Sequence, residues 1–345
     1  MSLGGGVFVT QTKSLPGTYI NFVNTTTVQS SLGERGVVAI ALPLGKSAGK
    51  VIEITQTEFL VNAKDKLGVE INDSKLAPLR EIFRNAQKCL IYDLGEDGVV
   101  ADALKALEAY EFNVLAAYTA EKADIKAYVD GVIAWRDETG KKCQVVVYNA
   151  ELEEGHEGVI NVISTVASGD AHALVAWVAG AEAGCAINKT CTNKAYNGEY
   201  EIVAEHSQTE LAGFLTAGKF AFHRVYGEIR VLEDINSFVA VTAEKGEDFK
   251  YNQTIRVIDQ IANDIARIFN TKYLGNIPNN ASGRVSLWGD IVAHHRELET
   301  LQAIEQFDAT KLTVEAGATK RSVVVNDAIV VTNAMTQLYM TVVVQ

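Results

Sequence analysis

The chain has 345 residues, a formal charge of −12, 48% hydrophobic and 21% charged residues. That length favours two or three domains, and the composition is that of a globular protein. The acidic balance, without a basic run of five or more residues, excludes a general affinity for nucleic acid or anionic membranes; no apolar run approaches the roughly 20 residues of a membrane span.

The first residues lack the basic start and apolar core of a signal peptide, so export by that route is not expected. Residues 1–24 read as an extended arm: Gly4-Gly5-Gly6 supplies a loose root, Val7–Thr10 a strand, and Pro16-Gly17 a turn before further strand formers. Residues 25–88 carry short β-type runs, Gly36-Val-Val-Ala-Ile-Ala-Leu42 and Lys50-Val-Ile-Glu-Ile-Thr55, with a short helix near Leu76–Ala86 capped at Asp73-Ser74. They are read as a small β domain.

From Cys89 the rhythm changes. Strands at Cys89–Asp93, Asn113–Tyr118 and Gln144–Tyr148 alternate with helical spacing at Val99–Tyr110 and Ala123–Thr139, which predicts a largely parallel sheet covered on both faces. A helix at Asp170–Ala183 and a strand at Glu201–Glu205 extend this α/β domain over 89–243, and its final runs, Val225–Val241, read as antiparallel. Residues 244–345 read as an α+β domain. Thr254–Phe269 places Ile258, Ile261, Ile265, Ile268 and Phe269 on one helix face with Arg256, Asp259, Asn263, Asp264 and Arg267 mostly opposite. A second helix is expected at about Ser286–Gln306, then strands at Leu312–Ala316 and Ser322–Val331, and a last run, Gln337–Gln345, that is apolar on both faces. Such terminal strands either fold into their own subunit or pair with another chain by strand addition; both readings stand at this point.

The residues offer no reaction. Leu44-Gly-Lys-Ser47 lacks the upstream glycine of a phosphate loop and is followed by a strand rather than a helix. The turn Asp93-Leu-Gly-Glu-Asp-Gly98 lacks a third glycine and sets Asp93, Glu96 and Asp97 where a pyrophosphate would lie. Asp93 and His156 could serve as acid and base of an α/β hydrolase-like or nucleotide-binding enzyme, but no serine has a nucleophile setting beside them. His294 and His295 do not have the spacing of a zinc helix, and Cys185 and Cys191 have no histidine partner. Cys89, Cys143, Cys185 and Cys191 are read as reduced thiols, and no cofactor, metal or catalytic residue is expected.

Taken in order, Leu3-Gly-Gly-Gly-Val-Phe-Val9, Leu15-Pro-Gly-Thr-Tyr-Ile-Asn-Phe22, Ala176-Trp-Val-Ala-Gly-Ala-Glu-Ala-Gly184, Asn188-Lys-Thr-Cys-Thr192, Asn252-Gln-Thr-Ile-Arg-Val257, Gly275-Asn-Ile-Pro278 and Gln337-Leu-Tyr-Met-Thr-Val-Val-Val344 form a pattern spread over nearly the whole chain. The chain thereby resembles the contractile tail sheath proteins of myovirus-type phages, especially the prophage-like and R-type bacteriocin group of Gram-positive bacteria. The resemblance implies a small β-sandwich domain, an α/β domain without a catalytic triad, and a C-terminal α+β domain with extended terminal arms. It also implies a non-enzymatic subunit that polymerises with itself as stacked hexameric rings around a tail tube, in a virion tail or tail-like particle assembled in the host cytoplasm. Tube, baseplate and tail terminator proteins are the implied partners. By the same resemblance, Val7, Phe8, Val9, Thr10, Leu338, Met340, Val342 and Val344 match the strand-exchange arms, and Leu312, Val314, Val323 and Val325 are candidates for the strands that receive them. Arg256, Arg267, Lys272 and Arg284 are either tube-facing charges or ordinary exposed ones.

Overall fold

The fold, taken from a computed structural model, is described for residues 32–344. A seven-stranded sheet centres its larger part: β1 (Val37–Leu42), β2 (Val51–Thr55), β3 (Lys88–Asp93), β4 (Val114–Ala116), β5 (Gln144–Tyr148), β6 (Val159–Val162) and β7 (Lys219–Phe220), in the spatial order β2-β3-β1-β4-β5-β6-β7. β2 runs antiparallel to β3 at one edge, and the other pairings are parallel.

All of β1 is buried, and its side chains divide with the strand period of two. Val38, Ile40 and Leu42 enter one core with Ile54, Ile91 and Trp177; Val37, Ala39 and Ala41 enter the opposite core with Leu90, Leu115 and Val145. Helices α1 (Gln56–Leu67) and α2 (Ala77–Ile82) cover the first face, α3 (Val100–Leu107) and α4 (Lys122–Ala134) cover the second, and α5 (Leu174–Gly184) returns to the first.

This topology corrects the expected small β-sandwich over 25–88. Residues 37–55 supply an inner strand and an edge strand of the main sheet, and residues 56–82 supply two of its covering helices. The physical reason lies in Val37–Leu42 itself: a run apolar at every position suits a strand covered on both faces, whereas a sandwich strand alternates. Helix α1, absent from the sequence reading, starts at a capping box in which Thr55 accepts from the Glu58 N–H and the Glu58 carboxylate accepts from the Thr55 N–H.

The motif Ala176–Gly184 also finds its cause. Helix α5 is buried from Leu174 to Ala183 and apolar there except at Glu182, and its glycines let α2 and the turn after it approach. A Cβ at Gly180 would lie 2.4 Å from the Ile82 carbonyl oxygen, and one at Gly184 would lie 2.0 Å from that of Asn85.

Beyond the sheet, α6 (Gln208–Thr216) begins at a second capping box, Ser207 with Glu210, and β8 (Phe222–Val225) pairs antiparallel with β9 (Glu228–Val231). The expected strand at Glu201–Glu205 is reduced to one bridge, Val166 with Ile202. The C-terminal part consists of α7 (Asn252–Ile268), α8 (Ala281–Thr300) and an antiparallel hairpin, β10 (Thr313–Ala316) with β11 (Val323–Asn326). Its core gathers Val257, Tyr273, Leu287, Ile291, Leu298 and Phe307.

Candidate assembly surface

Asp93 and His156 do not form a site. Asp93 ends β3 and His156 lies just ahead of β6, so the parallel strands put them at opposite ends of the sheet. Asp93 is fully buried and accepts four backbone N–H groups, from Leu44 (3.1 Å), Gly45 (2.8 Å), Ser47 (2.6 Å) and Gly95 (3.0 Å). Burial alone would raise its carboxyl, but these donors hold it below its ordinary value. The Gly-Lys-Ser loop therefore makes an anion-binding nest, and the chain's own carboxylate fills it. His156 is half-buried; its Nδ1 accepts the Gly158 N–H at 2.9 Å, and burial lowers its proton affinity.

Helix α7 is amphipathic as expected, yet its polar face points inward. Asn252, Gln253, Thr254, Arg256, Asp259, Gln260 and Asp264 are buried, while Ile258, Ile261, Ile265 and Ile268 are only partly so. The α/β part supplies the counter-groups. Asp259 receives both terminal nitrogens of Arg136, at 2.6 and 2.9 Å. Asn252 accepts from Gln144 and donates to Asp234, and Asn263 donates to the Lys142 carbonyl.

Arg256 corrects a sequence expectation. It is 3% exposed, its Nη2 donates to Glu182 at 2.6 Å and Asp234 at 3.2 Å, and its Nη1 donates to the Lys189 carbonyl. It is therefore neither tube-facing nor an exposed helix charge. Spacing identified the polar face correctly but carried no sign of the complementary charges on α5 and in the segment after β9. Burial, with Asp234 beside it, pushes the Glu182 carboxyl well above its usual range; the adjacent guanidinium and hydrogen bonds hold Asp234 below its own against burial.

The other three basic candidates lie nearer solvent. Arg267 pairs with Asp264 at 2.7 Å, exposed Lys272 pairs with Asp290, and half-buried Arg284 donates to Asn279. A groove of about 400 Å³ beside Arg284 is lined by Ile277, Pro278, Leu287 and Val323 and rimmed by Lys320 and Arg321. Those last two residues, at the hairpin turn, were missed by sequence reasoning because isolated basic residues in a short turn carry no periodic signal.

The candidate host strands form a two-stranded hairpin held to α8 through Leu312, whose carbonyl accepts from Trp288 Nε1 at 3.0 Å. Leu312 is buried, Val314 and Val323 are half-buried, and Val325 is exposed. Following the hairpin, Glu305 N–H donates to Val330, Thr332 N–H to Ala303, and Ala334 N–H to Gln253. Past Ala334 the backbone has no regular structure, and Leu338, Tyr339, Met340, Val342 and Val344 stand exposed, Tyr339 at 88%. The expected arm residues Val7, Phe8, Val9 and Thr10 lie outside the described residues.

A model of the phage tail sheath protein central domain matches residues 97–237, and one of the phage tail sheath C-terminal domain matches residues 244–345. The chain is 28% identical to a tail sheath protein of Clostridium phage phiCD119, over 66% of this chain and 64% of that one. It is 26% identical to the phage-like element PBSX protein XkdK of Bacillus subtilis, over 77% and 82%. Among solved structures, the sheath tail protein of Desulfitobacterium hafniense superposes with a TM-score of 0.74 at 27% identity, covering 87% of this chain and 93% of that one. The contracted helical sheath of the anti-feeding prophage shares the fold at a TM-score of 0.67 and 17% identity, over 95% and 99%. The filled nest at Asp93, the separation of His156 from it and these matches agree in favouring a structural subunit over an enzyme. The chain belongs to the phage tail sheath protein family.

Proposed function

We propose that this chain assembles as stacked six-fold rings around a tail tube in the host cytoplasm and works by contraction, with neighbouring subunits joined by exchanged strands. The observation that carries the reading is the apolar segment 335–344, exposed among the described residues, which follows a hairpin that among those residues has only two strands. Apolar runs of this kind call for cover, and a hairpin of two short strands gains most from a third. Ten extended residues span roughly 33 Å, enough to leave one subunit and reach another.

In this reading Leu338, Met340, Val342 and Val344 add to the hairpin of a neighbour, beside its Leu312, Val314, Val323 and Val325. Val7–Thr10 supply a second strand from a further neighbour. Lys272, Arg284, Lys320 and Arg321 form the basic side of the C-terminal part, facing an acidic surface of the tube or of an adjacent subunit; baseplate and terminator proteins meet the ends of the polymer. Contraction needs no fuel site, since rigid-body rotation with strand links intact can move between two packings.

The test is truncation. Removing residues 338–345 leaves a folded protein whose melting temperature is unchanged within about 2 °C, because surface segments away from core contacts contribute within roughly 0.5 kcal/mol, and it forms no tubes in negative-stain micrographs. Cooperative unfolding of the truncated chain would place the segment in its own subunit's core and overturn the strand exchange.

A further inference from the structure

We infer that His294 and His295 share one bound proton, and that this proton fastens the segment leaving the β10–β11 hairpin to helix α8. Both imidazoles are fully buried, and their Nδ1 atoms lie 3.1 Å apart. Each ring turns its Nε2 to a carboxylate: His294 to Asp264 on α7 at 3.1 Å, His295 to Asp327 just beyond β11 at 2.6 Å. Four groups from three elements thus form one line, Asp264, His294, His295, Asp327.

The protons can be counted. Asp264 Oδ1 accepts from the Gly33 N–H and Arg267 Nη2, and its Oδ2 accepts from Gln260 Nε2 and faces His294 Nε2. A carboxyl that accepts three donors, one of them the Arg267 guanidinium, is held ionised, so in the fourth contact the hydrogen sits on His294 Nε2. The contact between His295 and Asp327 is short even for a charge-assisted bond, so His295 Nε2 donates as well. Between the two Nδ1 atoms, two lone pairs would repel and two N–H groups would collide, which leaves one hydrogen. Three hydrogens on four nitrogens make one ring an imidazolium. The shorter carboxylate contact assigns that role to His295, with His294 accepting at Nδ1.

A metal ion is the competing occupant, because imidazoles backed by carboxylates are a common support for one. It would need further ligands. Among the described residues, the cluster of three metal-ligating side chains is Glu182, Cys191 and Asp234, none of which belongs to this line. The Phe307 ring packs edge-on against His295 at 4.8 Å on the remaining side. Among the described residues the charges around the pair are Asp264 and Arg267 from α7, Asp327 from beyond β11, and Arg296 of α8, whose guanidinium lies over the Phe307 ring and pairs with Glu299. Without the shared hydrogen the two lone pairs oppose each other, and Asp327 loses a cationic partner. Attachment of the hairpin's exit to α8 is therefore coupled to one proton.

The experiment is nitrogen NMR on the full chain, labelled with ¹⁵N at histidine and sedimented for magic-angle spinning; there are six histidines to assign. The expected spectrum has two Nε2–H groups and a single Nδ1–H correlated with the neighbouring Nδ1. Two neutral rings without an Nδ1 hydrogen, or two imidazolium rings, would overturn the inference. Asp327→Asn keeps an acceptor but removes its charge: the third hydrogen is lost and amide exchange over residues 323–331 rises roughly tenfold or more, the scale of a charge-assisted hydrogen bond. Retention of all three hydrogens in that variant, or unchanged exchange, would equally reject it.

Discussion

Helix α7 buries Asn252, Arg256, Asp259, Gln260 and Asp264, whereas the segment after Ala334 leaves Met335, Leu338, Tyr339, Met340 and Val342 in solvent. Polarity and burial are reversed in both places. On α7 the reversal is resolved within the chain: Arg136 pairs with Asp259, Glu182 and Asp234 pair with Arg256, and Asp264 meets Arg267 and His294. In the last segment nothing among the described residues answers the apolar side chains. A buried polar face whose charges are paired marks a fixed junction, because charges removed from water tolerate few alternative partners. An exposed apolar segment marks a junction still to be made.

The fixed junction breaks most severely at its centre. Arg256→Met leaves Glu182 and Asp234 buried without their cation, and the loss is about 3–5 kcal/mol in urea unfolding. Combining it with Glu182→Gln and Asp234→Asn recovers much of that loss; a loss in the single variant below about 1 kcal/mol would show that charge pairing does not hold the face.

A junction made by shape gives the next effect. Gly184→Ala places a methyl group against the Asn85 carbonyl and lowers stability by about 1–3 kcal/mol without altering the pH profile. An unchanged unfolding midpoint would mean that α5 is free to shift.

Asp93→Ala orphans several backbone donors and costs about 1–3 kcal/mol at neutral pH. Because the folded carboxyl titrates below its unfolded value of about 3.9, its contribution is complete above that pH and is lost as pH falls through the folded value. The gap between Asp93→Ala and the parent chain therefore narrows in acid. A constant gap down to the lowest pH at which both stay folded would contradict this.

The smallest effect on folding belongs to the unfinished junction. Lys320→Glu with Arg321→Glu shifts stability by no more than about 0.5 kcal/mol, as exposed turn residues do, but reduces tube formation. Normal tubes from that variant would remove the hairpin turn from the assembly surface.

Much of the α/β part was legible because its apolar runs repeat with the strand and helix periods, as at Cys89–Asp93 and Gln144–Tyr148. Residues 37–88 were misplaced because neither strand pairing nor sheet order is written in local pattern; Val37–Leu42 announces only that both faces are covered. Helix α1 was missed because its exposed middle, with Leu60 and Val61 in solvent, blurs the helical stripe. For the assembly surface, the run Leu338–Val344, apolar on both faces, was visible, while the burial of Arg256 was not. That burial depends on Glu182 and Asp234, 74 and 22 residues away in sequence, and no window along the chain contains all three.

Asp93 has one more consequence. In open α/β sheets the carboxyl ends of the strands, where the chain crosses from one side of the first strand to the other, form the mouth in which ligands are received. Here that crossing lies at β1, between β3 and β4, and the loop following β1 is sewn to β3 by the Asp93 side chain and by the bond from Gly49 N–H to the Asp93 carbonyl. A catalyst keeps such a mouth pliant so that it can open and close. Tying the loop after β1 to β3 stiffens one wall of that mouth, and stiffness is the property a subunit needs if thrust is to pass through its body instead of being absorbed there.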